Sequence, residues 1–229
     1  MLSELVLLSF NLGSLSASES EALLATSTQE LPESVRAYHK PVDRLRFSAG
    51  RALLRCGLRG ITGKTDFEVE LDKYGRPFLK GHPEIDFNIA HSGDWVLCLI
   101  GRDRRVGVDV EFVGQIFEEV LDRLSTTEIE YVDSHNGMDR IEAFYRVWTA
   151  KEAYLKASGE TFEIPPDSFT ILFIDGNPAL SDFDSILDID WNLQGGSLDE
   201  RHLYCACYTG KATQPRPIEV TFRELITPR

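Results

Sequence analysis

The chain has 229 residues, 42% of them hydrophobic and 27% charged, and a net charge of −13. Those proportions belong to a soluble globular protein with enough apolar content for a real core, organised as one large or two small domains. They exclude a membrane span, since no run reaches ~18 apolar residues, and the acidic balance excludes general nucleic-acid binding.

The N-terminus, MLSELVLLSF, is apolar but short, carries Glu4 and lacks a basic start and a small-residue cleavage site. It reads as a first strand over residues 3–12, not as a signal peptide. Residues 16–40 are polar and mostly helical in pattern, interrupted at Pro32. The apolar set Val42, Leu45, Ala49, Leu53 and Cys56 predicts a helix over 42–58, closed by the glycine-punctuated GLRGITGK. A turn signal follows in YGRP, 74–77. Then come FNIAH, WVLCLI and RVGVDVEF, separated by the hairpin-length SGD and GRDR, which predicts an antiparallel meander.

Residues 114–124 suggest a short amphipathic helix bearing Ile116, Phe117, Val120, Leu121 and Leu124. SHNGMD breaks the chain before a long helix of about 139–157. After IPPD, the runs FTILFI, ILDIDWNL, HLYCACY and IEVTFREL read as four strands. Each part of the chain therefore has one long helix with strands after it. The expectation is an α+β fold of two similar halves, 1–105 and 106–229. The four cysteines (Cys56, Cys98, Cys205, Cys207) sit in apolar runs without CxxC spacing. They read as buried free thiols of a cytoplasmic protein.

Charge is unevenly spread. From Arg36 to Lys64 there are eight basic residues (Arg36, Lys40, Arg44, Arg46, Arg51, Arg55, Arg59, Lys64) against Asp43, a balance of +7 that leaves −20 for the rest. Such an island suits a small polyanion. Taken alone, the four-residue steps of Arg51, Arg55 and Arg59 favour a solvated helix face.

Two stretches carry chemistry. In RVGVDVEF, Val106, Val108, Val110 and Phe112 point one way, and Gly107, Asp109 and Glu111 the other. Carboxylates two apart on a strand are about 6.5–7 Å apart at Cα, close enough to share a hard cation, with Gly107 leaving room beside them. By itself a DxE is more often the solvated face of a half-buried strand. In FYRVWTAKEAYLKASG, 144–159, Tyr145, Trp148 and Leu155 continue from Ile141 as one apolar helix stripe. Glu152 completes that stripe. A carboxylate turned inward needs a partner, because burying it unpaired costs several kcal/mol. An exposed i,i+4 pair with Lys156 is the local alternative. A divalent cation shared with Asp109 and Glu111 explains the position better, and Mg²⁺ takes such carboxylates when it serves a phosphoryl substrate.

GVDVE (107–111) paired with WTAKEAYLK (148–156) resembles the 4′-phosphopantetheinyl transferases. With FNIAHSG (87–93) upstream, the likeness is to their single-chain, surfactin-synthetase-activating type and runs from about Tyr38 to Gly159. The resemblance implies transfer of phosphopantetheine from coenzyme A to a serine of an apo acyl or peptidyl carrier protein. It implies a pseudo-dimer with the site in the cleft between its halves, Mg²⁺ held by Asp109, Glu111 and Glu152, and Lys156 on the pyrophosphate. Glu152, or a water in the metal's shell, takes the serine proton. His91 and Arg46 hold the 3′-phosphate, and Arg76, in the YGRP turn, lies near the nucleotide, with Lys40 and Arg36 further cofactor contacts. Ala90 departs from the serine common before this histidine, and the first thirty residues carry no family signature.

Two other readings stay open on the residues alone: a Mg²⁺-dependent nucleotide or pyrophosphate hydrolase, and a non-catalytic relative that sequesters coenzyme A or a carrier. Two halves in one chain imply a monomer. The apolar face of 114–124, directly after the Asp109–Glu111 strand, reads equally as core and as a carrier-docking surface.

Overall fold

The computed structural model describes residues 4–27, 40–64, 66–116, 118–159, 165–181, 190–211 and 214–226. Their order is β1 (Leu5–Asn11), α1 (Ala17–Ser27), α2 (Pro41–Thr62), β2 (Val69–Leu71), β3 (Pro77–Leu79), β4 (Ile85–Ser92), β5 (Trp95–Arg102) and β6 (Val106–Phe112). There follow α3 (Glu118–Leu121), α4 (Thr126–Asp133), α5 (Gly137–Ser158), β7 (Ile171–Ile174), β8 (Asn177–Leu180), β9 (Trp191–Asp199), β10 (His202–Thr209), β11 (Ile218–Glu219) and α6 (Phe222–Ile226). The fold is α+β, as the pattern of the chain suggests.

Four layers result. One sheet has the order β11-β1-β5-β4 and a second the order β6-β10-β9; β2–β3 and β7–β8 are separate antiparallel hairpins. Helix α2 covers the outer face of the first sheet, with Leu53 and Leu58 fully buried against Leu8, Phe10, Cys98 and Ile100. Between the sheets, Leu5, Leu7, Leu97 and Leu99 meet Val106, Val108, Val110, Tyr204, Ala206 and Tyr208. Helix α5 covers the far face, on Cys205 and Cys207. All four cysteines are free, and Cys98, Cys205 and Cys207 are buried.

The meander is not formed. β4 and β5 pair as expected, but β6 joins β10 instead. The reason is non-local: β5 has two edges, and β1 occupies the second over its whole length. β4 and β6 are thus the facing edges of two sheets, and side chains stitch them. The N–H groups of Val106, Val108 and Phe112 donate to Asp86 Oδ2, Asn88 Oδ1 and Ser92 Oγ, each at 2.9 Å. Edge donors that would otherwise be buried unpaired are satisfied this way. Ala90 sits in the same row without a hydroxyl and is buried in the inter-sheet layer.

Other element expectations are revised. Helix α2 runs on through Gly57 and Gly60 to Thr62 and stops at Gly63, φ 73°. Gly57 serves contact, since a Cβ there would collide with Ile100 Cδ1. Helix α4, absent from the sequence reading, starts at Ser125 with a capping box to Glu128; the signal was the spelling S-T-T-E. Of the 114–124 helix only α3 forms; Leu124 is buried with Val132, Phe144 and Val147, and Ile116, Val120 and Leu121 pack against that cluster partly exposed; Phe117 lies outside the described residues. NPAL is strand β8, and FREL is helix α6, not strand. β11 returns to pair in parallel with β1, and α6 packs on α2, so the last described residues belong to the first sheet's layers.

Candidate active site

Alternation along β6 turns Gly107, Asp109 and Glu111 toward α5. The room expected beside Gly107 is filled by helix backbone: a Cβ there would strike Ala153 O and Ala157 N. This close approach brings the acids against the helix. Asp109 is only 5% exposed. Its Oδ1 accepts from Lys156 Nζ at 2.5 Å, while Oδ2 is buried without a hydrogen-bond partner. Glu111, half-buried, accepts at 3.2 Å from the hydroxyl of Ser92.

Glu152 also projects toward this cluster, half-buried. The face it shares with Ile141, Tyr145 and Trp148 is the half-buried one; the deepest positions of α5 are instead Val147, Ala150, Lys151 and Ala153. Burial raises the pKa of all three acids. Lys156 opposes the rise at Asp109 and Glu152. Glu111 is pushed up to about 7 by burial, with Asp109 and Glu152 adding to it.

Three hard oxygen donors, one orphaned carboxylate oxygen and pKa values raised chiefly by burial describe an acidic cluster short of positive charge. That is a donor set suited to a divalent cation. Among the described residues no three His, Cys, Asp or Glu side chains stand as a ready metal cage, and Lys156 occupies one oxygen of Asp109.

Across the β4–β6 seam lies a cationic group. Arg46 of α2 donates through Nη2 (2.6 Å) and Nε (3.1 Å) to the carbonyl of Gly93, and through Nη1 to Asp43 at 3.0 Å. His91, at the end of β4, is exposed. Its pKa is lowered by burial of the ring's surroundings and by Arg46, with Lys156 adding to the effect. Arg46, His91 and Lys156 thus feel one another's charge.

The remaining sequence candidates lie further off. Arg76 Nη2 is held by both Asp86 oxygens (2.9 and 2.8 Å) and the Val106 carbonyl (3.0 Å), so it braces the seam. Lys40 is the exposed N-cap position of α2 and makes no side-chain cap. Arg36 lies outside the described residues. Sequence reading missed Ser92, which links Glu111 to the Phe112 N–H, although it stands in the same HSG run as His91. It also missed Arg123, whose charge acts on Glu152, and the buried pair of Lys151 with Glu128.

The description "4′-phosphopantetheinyl transferase superfamily" belongs to a family model matching residues 105–207, which contain all three acids and Lys156. The 4′-phosphopantetheinyl transferase Sfp of Bacillus subtilis (strain 168) is 30% identical over 170 residues, 72% of this chain and 75% of its own. The chain belongs to the 4′-phosphopantetheinyl transferase superfamily. The transferase is also similar to the 4′-phosphopantetheinyl transferase HetI of Nostoc sp. (strain PCC 7120), 35% identical over 62% of this chain and 64% of that one. The 4′-phosphopantetheinyl transferase gsp of Aneurinibacillus migulanus is 30% identical over 65% and 63% of the two chains. A solved structure described as a Chronobacterium ammoniagenes ACPS–CoA complex aligns with 48% of the transferase and 98% of its own chain, at 18% identity and a TM-score of 0.39.

Proposed function

We propose that this transferase takes 4′-phosphopantetheine from coenzyme A and places it on a serine of an apo acyl or peptidyl carrier protein, releasing adenosine 3′,5′-bisphosphate. The observation that carries this reading is one juxtaposition: the acids of β6 and α5 stand across a narrow seam from the cations of α2 and β4. A pyrophosphate with a separate 3′-phosphate needs both, at different points along its length.

Phosphoryl transfer asks for positioning and charge neutralisation more than covalent help. Asp109, Glu111 and Glu152 would hold Mg²⁺, which neutralises charge on the pyrophosphate as its bridging oxygen departs. Lys156 pairs with those same phosphates, exchanging Asp109 for them. Arg46 and His91 grip the 3′-phosphate. Arg76, braced by Asp86, would lie near the nucleotide, and Lys40 stands at the end of α2 nearest Arg46. Glu152, or a water in the metal's shell, would receive the serine proton.

The order of the elements supports a pseudo-dimer with the site in the cleft between its halves. With β11 set aside, the orders β1-β5-β4 and β6-β10-β9 match, each with its first strand beside its last and its last beside its penultimate, next to a 22-residue helix. Leu8 pairs with Cys98 where Asp109 pairs with Cys205. Leu8 and Phe10 thus stand where the second half has Asp109 and Glu111, so one chain has one site and works as a monomer. No described helix is long and apolar enough to cross a membrane, and a cytoplasmic location accords with the free thiols.

The test is incubation with coenzyme A, Mg²⁺ and several apo carriers, read by intact-protein mass. A gain of one phosphopantetheine on a carrier is expected. Asp109→Ala and Glu152→Ala should each lower kcat by about a hundredfold or more with the fold intact. Full activity in excess EDTA would remove the metal role. Bisphosphate release without any carrier would make the protein a hydrolase.

A further inference from the structure

Lys151 precedes Glu152 in α5, and the mechanism above does not use it. Its side chain and that of Glu128 are both 0% exposed. An ammonium has three donors, and all are engaged: Glu128 Oε1 at 2.8 Å, Pro166 O at 2.7 Å and Phe169 O at 2.6 Å. The ring of Phe169 lies beneath it, 4.1 Å from its centroid. Glu128 is equally committed, accepting from the backbone of Ser125 and of Ile171, both at 2.7 Å. Two helices and the segment entering β7 meet at one fully paired node.

Such a node costs desolvation and adds little stability over apolar packing of the same shape. What it adds is direction. The contact of α5 with β6 is made by small residues, Gly107 on Ala153 and Ala157, with Ala150 also buried. A seam of that kind sets the distance between helix and strand, and the side-chain bond across it, Lys156 to Asp109, involves the very groups that have to be aimed. Glu152 accepts no hydrogen bond among the described residues that would hold its own direction. Neighbouring helical positions point about 100° apart, so fixing Lys151 fixes where Glu152 points.

We propose that Lys151 is a positioning residue: its anchorage to Glu128, Pro166 and Phe169 sets the rotation of α5 that aims Glu152 and Lys156 at β6. The inference rests on the reading of Glu152 and Lys156 as site residues. Lys151 touches neither substrate nor reacting atoms; it acts through its neighbour.

The test is the double variant Lys151→Met/Glu128→Leu, which keeps volume and removes the directional bonds. It is compared with the parent well below the unfolding temperature of both, per folded molecule. Expected are a kcat lowered about ten- to a hundredfold, a KM for coenzyme A within about threefold of the parent, and weaker Mn²⁺ binding by calorimetry. A purely structural role would lower the unfolding temperature and leave kcat and Mn²⁺ affinity at parental values, and that result overturns the proposal. If the double variant does not fold, Glu128→Gln supplies the same comparison: it retains the cap acceptor and weakens the hold on Lys151. Parental kcat and Mn²⁺ affinity in that variant overturn the proposal equally. A parent that transfers nothing to any carrier would sink the functional reading instead, and the Mn²⁺ comparison would still decide the role of Lys151.

Discussion

His91 and Arg46 bring two cationic groups close together, and the proposed 3′-phosphate would relieve their repulsion. Burial and the neighbouring guanidinium hold the imidazole below its ordinary value of 6.5, so near neutral pH the free protein carries it mostly uncharged. A phosphate dianion placed between the two would reverse the electrostatic sign and raise that pKa. Binding of coenzyme A should therefore take up protons at His91 in the pH window between the lowered free value and the raised bound one, and little on either side of it. Calorimetry in buffers of different ionisation enthalpy, without divalent metal, reads this directly. His91→Gln should abolish the buffer dependence, and dephospho-coenzyme A should show little of it with the parent. Equal proton uptake with both ligands would place His91 away from the 3′-phosphate.

At the scale of elements, the two long helices are seated by glycines of different severity. Gly107 of β6 meets the backbone of α5, which cannot rotate away; Gly57 of α2 meets only side chains, Ile100 and, less closely, Leu8. Gly107→Ala should thus cost about 1–3 kcal/mol of overpacking or more and push the acid-bearing strand off its helix. Gly57→Ala also gains about 1 kcal/mol of helix propensity, which partly offsets the movement of those two side chains. The expected order in thermal unfolding is parent, then Gly57→Ala close behind, then Gly107→Ala lower by ~2–4 °C per kcal/mol. Activity should fall with Gly107→Ala even where the protein is folded. A Gly107→Ala protein with parental unfolding temperature and activity would contradict the close packing on Ala153 and Ala157.

The whole molecule is acidic, yet α2, which carries the proposed coenzyme A contact Arg46, belongs to the +7 island. Long-range attraction for coenzyme A then comes from a local cluster inside a repulsive average field. Salt screens both, with a Debye length near 8 Å at about 0.15 M, but the short-range pair is what the ligand loses. The KM for coenzyme A should rise across a salt series at constant free Mg²⁺, while the KM for an acidic carrier holds steady or falls. A carrier KM that climbs steeply would make the basic island the carrier's docking site. Of the apolar face of 114–124, Leu124 is buried, while Ile116, Val120 and Leu121 pack beside α5 and stay partly exposed.

Local pattern was sufficient wherever the physics is local. The period-2 alternation of Val106 to Glu111 assigned each side chain its face, and the 3.6-residue stripe of Val42, Leu45, Ala49 and Leu53 found α2, because both depend on neighbours in the chain. The placement of Asp109 near Glu111 and of Glu152 near Lys156 followed from the same short-range spacing, strand alternation in one case and one helical turn in the other. Partnership across the chain was not legible. That β5 gives its second edge to β1, leaving β6 to β10, depends on which of several compatible edges meet, and hydropathy is nearly the same for each. The helix at 126–133 was spelled in its capping box, but the worth of Glu128 came only with Lys151, 23 residues on. A buried ion pair leaves no local trace, because either charge alone reads as surface. Only the packed interior, where each must find the other, reveals that they are not.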